Sequence, residues 1–266
     1  MSIIKVKPDQ KIKLAEVDPE DTGEVTDKNK AKKLLSKNIE RMAELQNVLY
    51  AEGKHALLII LQAMDAGGKD GTIRSIMSGV NPQGVQVTSF KSPTLEDLAH
   101  DFLWRVHKAV PPRGMIGIFN RSHYEDVLIV RVRNLVPKQV WQKRYEHINC
   151  FEQLLTDNGV TILKFYLHIS KDEQKERLQA RLDEPDKRWK FNPTDLDTRV
   201  QWDDYMHAFE DVFEKCSTKY APWYIVPANK KWYRNLVISQ TIVETLEGLN
   251  MKYPEPVVGL DKIIIE

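Results

Sequence analysis

Ala63-Met64-Asp65-Ala66-Gly67-Gly68-Lys69-Asp70-Gly71 lies between an apolar run, Ala56-Leu57-Leu58-Ile59-Ile60-Leu61, and the segment Thr72-Ile73-Arg74-Ser75-Ile76-Met77. The run reads as a buried strand and the segment as the first turns of a helix. A strand, a glycine-rich turn ending in lysine and then a helix make a phosphate cradle. Glycines let backbone N–H groups approach phosphate oxygens, the helix N-terminus adds positive potential, and lysine adds a full charge. Ala66, Gly67, Gly68, Lys69, Asp70, Gly71 and Thr72 are therefore candidate phosphate-binding residues. The stretch departs from G-x-x-x-x-G-K-[ST] at two places. Ala63 replaces the first glycine, and Asp70 stands where a Ser or Thr would meet magnesium.

Working outward, further strands are expected at 85–90, 115–119, 160–167 and 223–227. Helices are expected at 29–50, 94–106, 139–158, 171–182, 194–215 and 231–248, with Gly53 stopping the first. Strands alternating with helices, apolar throughout, imply an α/β fold: a parallel five-stranded sheet with helices on both faces. Residues 1–27 read as an extended arm, and the whole of 1–266 as one domain, with 1–52 its N-terminal arm and helix. Ligands of such sheets sit at the C-terminal ends of the strands. The residues that follow strands 56–62 and 115–119 should therefore meet in space.

Composition narrows the partners. The chain has 266 residues, 42% hydrophobic and 29% charged, with a net charge of +1. It offers no global field for nucleic acid or a membrane surface, so neither is an expected partner. No apolar run is long enough to span a bilayer, and Met1 to Lys7 lacks the core of a signal peptide. Two cysteines, Cys150 and Cys216, suit a reducing compartment, each expected as a buried free thiol. A cytoplasmic enzyme is expected.

Strand 115–119 is followed by Asn120-Arg121-Ser122-His123-Tyr124-Glu125-Asp126. Arg121, at the strand end, is placed to steady a transferring phosphoryl group. Asp65 is an acid inside a phosphate cradle, which is costly unless a cation is near, so it is the candidate metal residue. Glu125 is a candidate for the same site; Asp126 reads equally well as a helix-end charge. Ser122 reads as an N-cap and His123 as a packing or capping residue. Lys175 to Lys190 is a basic cluster in which Arg177 and Arg181 share a helix face. Such a run is usually a solvated face, here paired with Glu173 and Glu176. Its place after the fourth strand favours a lid over phosphates, spanning approximately 171–215. Lys91, Arg74, Arg131 and Arg133 extend a basic track suited to a long phosphate chain.

Ala63 to Gly71, Phe119 to Asp126 (F-N-R-S-H-Y-E-D), and R-L-Q-A-R-L-D-E-P-D-K-R-W-K-F at 177–191 with Trp202-Asp203-Asp204-Tyr205 together resemble the second polyphosphate kinase family. Asp70 fits that family. The resemblance implies a P-loop, thymidylate-kinase-like fold with a helical lid. It implies Mg²⁺-dependent phosphoryl transfer, with Mn²⁺ as a substitute, between inorganic polyphosphate and a nucleotide, adenine first and guanine second. By resemblance Asp65, Lys69 and Arg121 are site residues, and Arg177 and Arg181 contact polyphosphate. Asn120 followed by S-H-Y-E-D resembles the subgroup acting on both AMP and ADP, with Glu125 helping to use the monophosphate. Asn120, Arg121, Asp126 and Arg131 are then the expected nucleotide-side residues, and a homo-oligomer, dimer or tetramer, is the expected assembly. Two rival readings are an ATP-dependent nucleoside monophosphate kinase and a non-catalytic polyanion-binding module.

Overall fold

Ala56–Gln62 is buried at all seven positions. Successive strand residues point to opposite faces, so complete burial means that both faces of the sheet are covered there. The computed structural model describes residues 3–259 and 264–265; Met1 and Ser2 of the expected arm, and 260–263 and 266 of the expected domain, lie outside the described residues. The strands are β1 (Ile4–Lys5), β2 (Ala56–Gln62), β3 (Val85–Ser89), β4 (Ile116–Asn120), β5 (Val160–His168) and β6 (Trp223–Pro227). The helices are α1 (Lys28–Glu52), α2 (Lys69–Ile76), α3 (Leu95–Leu98), α4 (Trp104–His107), α5 (Ile129–Val132), α6 (Lys138–Asp157), α7 (Lys171–Asp183), α8 (Thr194–Val200), α9 (Trp202–Cys216) and α10 (Lys231–Gly248).

The strand order is β1-β6-β5-β2-β4-β3. The five expected strands are present and parallel. The sheet has a sixth strand that the expectation lacked: β1 runs antiparallel to β6, with Ile4 opposite Ile225 and Lys5 opposite Tyr224. Two residues carry no readable period, and β1 is held by its neighbours. Val6 N–H donates to the Trp223 carbonyl at 2.9 Å, and Ser217 Oγ donates to the Val6 carbonyl at 2.7 Å. Part of the expected arm is thus an edge of the sheet.

Two expected helices are broken. Thr94 caps α3 with a reciprocal Thr94–Asp97 capping box. The helix stops at Leu98, and Asp101 Oδ1 accepts from Leu103 N–H at 2.9 Å, starting a new turn that leads into α4. Residues 194–215 divide into α8 and α9 at Gln201. The α9 half buries Tyr205, Ala208, Phe209, Val212 and Phe213 in the main core. Cys216 is buried as expected, but Cys150 is exposed, because it faces away from the stripe of α6 that buries Ile148, Phe151 and Leu155. Both thiols are free.

Helix α1 lies on α10, with a buried hydrogen bond from Asn38 to Ser239 Oγ at 3.0 Å. Its apolar face is buried within the chain. No described helix is long and apolar enough to cross a membrane.

Candidate active site

The turn from β2 to α2 carries the cradle. Ala66 and Gly68 both take left-handed backbone, with φ of 60° and 98°. A Cβ at Gly67 would meet Ala63 Cβ at 2.5 Å and the Met64 carbonyl at 2.8 Å, so the tight turn excludes any larger residue there. The hydroxyl of buried Thr72 donates to the Gly68 carbonyl at 3.0 Å and is spent inside α2. Lys69 is only 9% exposed, and its Nζ donates to the Ala63 carbonyl at 3.0 Å, folding the side chain back across the loop. Burial, and then the charge of Arg121, hold its amine below the usual lysine range, against the opposing pull of Asp65, Glu125 and Asp70. An incoming polyanion would reverse that shift.

The expected meeting of the two strand ends occurs. Arg121 Nη2 donates to Asp65 Oδ1 at 2.9 Å, and Asn120 Nδ2 donates to Asp70 Oδ1 at 2.6 Å. Asp70 thereby ties the end of β4 to the first turn of α2. Arg121 itself has φ of 61°, a conformation that costs a non-glycine residue about 1–3 kcal/mol and concentrates at functional sites. Burial opposes its charge, while Glu125 and Asp65 outweigh that penalty and raise its pKa. Glu125 Oε1 accepts from Gln62 Nε2, on the last residue of β2, at 2.9 Å.

Ala66 to Gly71, Lys91, Asn120 and Arg121 line one cavity of about 400 Å³, completed by Ser89, Phe90 and Lys190. Asp65, Arg121 and Glu125 line an adjoining space of about 50 Å³ with Thr198 and Tyr205. Other expected residues lie elsewhere. Asp126 pairs with Arg144 at 2.8 Å, and Arg131 pairs with Asp211 and Tyr145 beside the Trp141 ring. Arg74 is exposed in the last turn of α2 and does not line the cavity.

Helix α7, expected from the sequence as part of a lid, is docked on the cradle. Gln174 Nε2 donates to the Asp65 carbonyl at 3.1 Å. Arg177 spends all its donors: Nε on Glu173, Nη1 on the Ala66 and Gly67 carbonyls at 3.1 and 3.0 Å, Nη2 on the Ala228 and Asn229 carbonyls. Its guanidinium bolts the loop from the side. Arg181 pairs with Asp195 of α8 at 2.9 Å.

Behind the Arg121–Asp126 segment lies a buried charge network. Ser122 caps its turn, as expected, by accepting from Tyr124 N–H. Lys164 Nζ donates to Glu152 Oε2 at 2.6 Å, to Tyr124 Oη at 2.8 Å and to the Cys216 carbonyl at 2.7 Å. His123 Nε2 lies 3.2 Å from Glu152 Oε1. His123 is therefore a packing residue within this network. Sequence reasoning missed Lys164, Glu152 and Gln62, and also Arg234, which packs beneath the cradle. The available signal for Arg234 was its alignment at four-residue spacing with buried Ile238 and Ile242.

Known proteins resemble this chain over most of its length. The profile of the family described as Polyphosphate kinase 2 matches residues 25–254. An AMP/ADP-polyphosphate phosphotransferase of Meiothermus ruber is 58% identical over the full length of both chains. An ADP-polyphosphate phosphotransferase of Rhodopseudomonas palustris is 53% identical over 84% of this chain and 81% of its own. The crystal structure of Polyphosphate Kinase 2 from Arthrobacter aurescens superposes with a TM-score of 0.92 at 49% identity, over 94% of this chain and 90% of that one. With the glycine loop, its lysine and the Arg121–Asp65 pair assembled at the ends of β2 and β4, the chain belongs to the polyphosphate kinase 2 family.

Proposed function

We propose that this chain transfers the terminal phosphoryl group of inorganic polyphosphate to AMP or ADP, giving ADP and ATP. The observation that carries the reading is the cavity that joins the glycine loop and Lys69 to Arg121, Lys91 and Lys190. Four basic side chains on one groove at a helix N-terminus suit a phosphate polymer. The names of the Meiothermus and Rhodopseudomonas relatives support AMP and ADP as acceptors. Adenine nucleotides are the first acceptors to test, guanine the second, and a dimer or tetramer is the assembly to look for.

In this reading an acceptor phosphate oxygen attacks the terminal phosphorus, and the bond to the next phosphate breaks, leaving a polymer one unit shorter. The loop N–H groups and Lys69 bind the donor phosphates, and Arg121 faces the transferring group. Asn120 orients the acceptor side of the cavity. Catalysis is mainly positioning and electrostatics. Kinases of this kind generally need a divalent metal. Asp65 and Glu125 line one small space beside Arg121, which fits Mg²⁺, or Mn²⁺ in its place, because such ions take one or two carboxylates and complete their shell with water and phosphate oxygens. When bound, the ion neutralises phosphate charge.

The test is incubation of the protein with AMP, polyphosphate and Mg²⁺ without ATP, followed by chromatography for ADP and ATP. Formation of both is expected. Product with ATP as donor and none with polyphosphate would assign an ATP-dependent nucleotide kinase instead.

A further inference from the structure

Arg234, in α10, is 2% exposed. Its guanidinium lies against the first turn of α2. A Cβ added to Gly68 would come within 2.2 Å of Arg234 Nη1, and one added to Gly71 within 3.9 Å of Nη2. Its hydrogen-bond partners are neutral: Nε and Nη2 donate to Asn235 Oδ1 at 3.1 and 2.9 Å, and Nη1 reaches the Gly67 carbonyl at 3.5 Å. Among the described residues no carboxylate offsets it. Burial first, and the Arg177 charge second, pull its pKa down to about 9.

This is an unfavourable place for a cation. The N-terminus of α2 already carries positive potential. Lys69 and Arg177 add two more charges around the same loop; Glu173 pairs with Arg177, and Asp65, Glu125 and Asp70 act on Lys69, whereas no carboxylate among the described residues acts on Arg234. A buried charge without an opposite partner destabilises the state that holds it. An anion on the mouth side of the loop would supply the missing partner through one layer of backbone.

We propose that Arg234 is a positioning residue for the donor phosphates: it braces Gly67 and Gly68 from behind, and its uncompensated charge is balanced by phosphate bound in the cradle. The inference rests on the reading that the cradle holds polyphosphate. It goes beyond that reading by giving the last helix a part in donor binding, without contact with the donor. It also requires that the free protein carries a destabilising charge which binding relieves.

The experiment compares wild type, Arg234→Met and Arg234→Lys in thermal melts with and without polyphosphate, and in steady-state kinetics with AMP. Arg234→Met is expected to melt at or above the wild-type temperature when free, and to lose at least half of the polyphosphate-induced rise. Its KM for polyphosphate should rise about tenfold, the equivalent of about 1.4 kcal/mol, with a much smaller change in kcat. Arg234→Lys, which keeps the charge, should recover most of the rise. Equal rises and equal KM in wild type and Arg234→Met overturn the proposal. If Arg234→Met fails to fold, Arg234→Lys decides: a rise of wild-type size supports the proposal and its loss overturns it. The absence of any rise in wild type is a different result, in which the reading of the cradle fails and this inference falls with it.

Discussion

The guanidinium of Arg121 reaches Asp65 across 2.9 Å, joining the turn after β4 to the cradle after β2. A cation and an anion that both line the candidate site are thus held by one another. In the proposed reaction, substrate binding redistributes both. The effects of Asp65→Ala and Arg121→Ala on kcat/KM should therefore not multiply. A double-mutant cycle is expected to show a coupling of about 1 kcal/mol, a factor of roughly five. Strictly multiplicative losses would show that the pair does not act as a unit.

Lys69 is nearly buried and aimed across the loop. Lys69→Met removes a charge from a water-poor site, and a loss of about 3 kcal/mol at the transition state is on the order of a hundredfold in rate. Turnover with AMP and polyphosphate, followed by chromatography, should fall at least that far. Because the amine titrates below its ordinary 10.5 in the free protein, its charge is lost as pH rises, and kcat/KM for polyphosphate should begin to fall on the alkaline side below that value. An alkaline limb unmoved in Lys69→Met would assign the titration to another group.

Lys164 and Glu152 are fully buried partners. Removing one leaves the other charged and unpaired, which costs about 3–5 kcal/mol. Lys164→Met should lower the urea midpoint accordingly with an unchanged denaturant slope. A midpoint within error of wild type would mean that Tyr124 and His123 suffice to hold Glu152.

His168, at the end of β5, is 5% exposed, and its Nε2 lies 3.0 Å from the Val17 carbonyl of the N-terminal arm. Burial lowers its pKa from 6.5, against weaker support from the Val17 and Leu14 carbonyls and the Asp18 charge. The sign follows. Between the lowered folded value and 6.5, the unfolded chain binds more protons than the folded one, so stability falls as pH drops through that window and is unaffected above it. Melting temperature measured from pH 8 to pH 5 should show this decline, and His168→Gln should flatten it. An identical decline in the variant would assign it to other groups.

The cradle was legible because its evidence is local: glycines, a lysine and a following helix within nine residues. The approach of Arg121 to Asp65 was legible from one topological rule, since parallel neighbouring strands deliver their C-terminal ends to the same place. Arg177 was half legible. Its spacing from Arg181 put it on a lid face, but only the folded chain shows its donors turned to backbone carbonyls. Arg234 was legible only through its four-residue alignment with Ile238 and Ile242, because a cation inside an apolar helix looks like a surface charge until the helix has been docked. The breaks after α3 and at Gln201 carry no glycine or proline, and Asp101, three residues past the end of α3, turns the chain through a side-chain hydrogen bond of its own. Strand β1 exists only because the edge of β6 is there to pair with it.

The five occupied donors of Arg177 have a kinetic meaning. Its hydrogen bond to the Gly67 carbonyl fixes the peptide plane whose opposite edge carries the Gly68 N–H, while the N–H opposite the Ala66 carbonyl, that of Gly67, donates to the Met64 carbonyl at 3.0 Å. Lifting α7 by the length of a hydrogen bond would free that plane to turn and, in the proposed reaction, swing the Gly68 N–H off the phosphate. In the proposed reaction, letting go of the polymer and opening over it would then be a single event, and a chain that has just lost its terminal unit would be released by the same motion that admits the next acceptor.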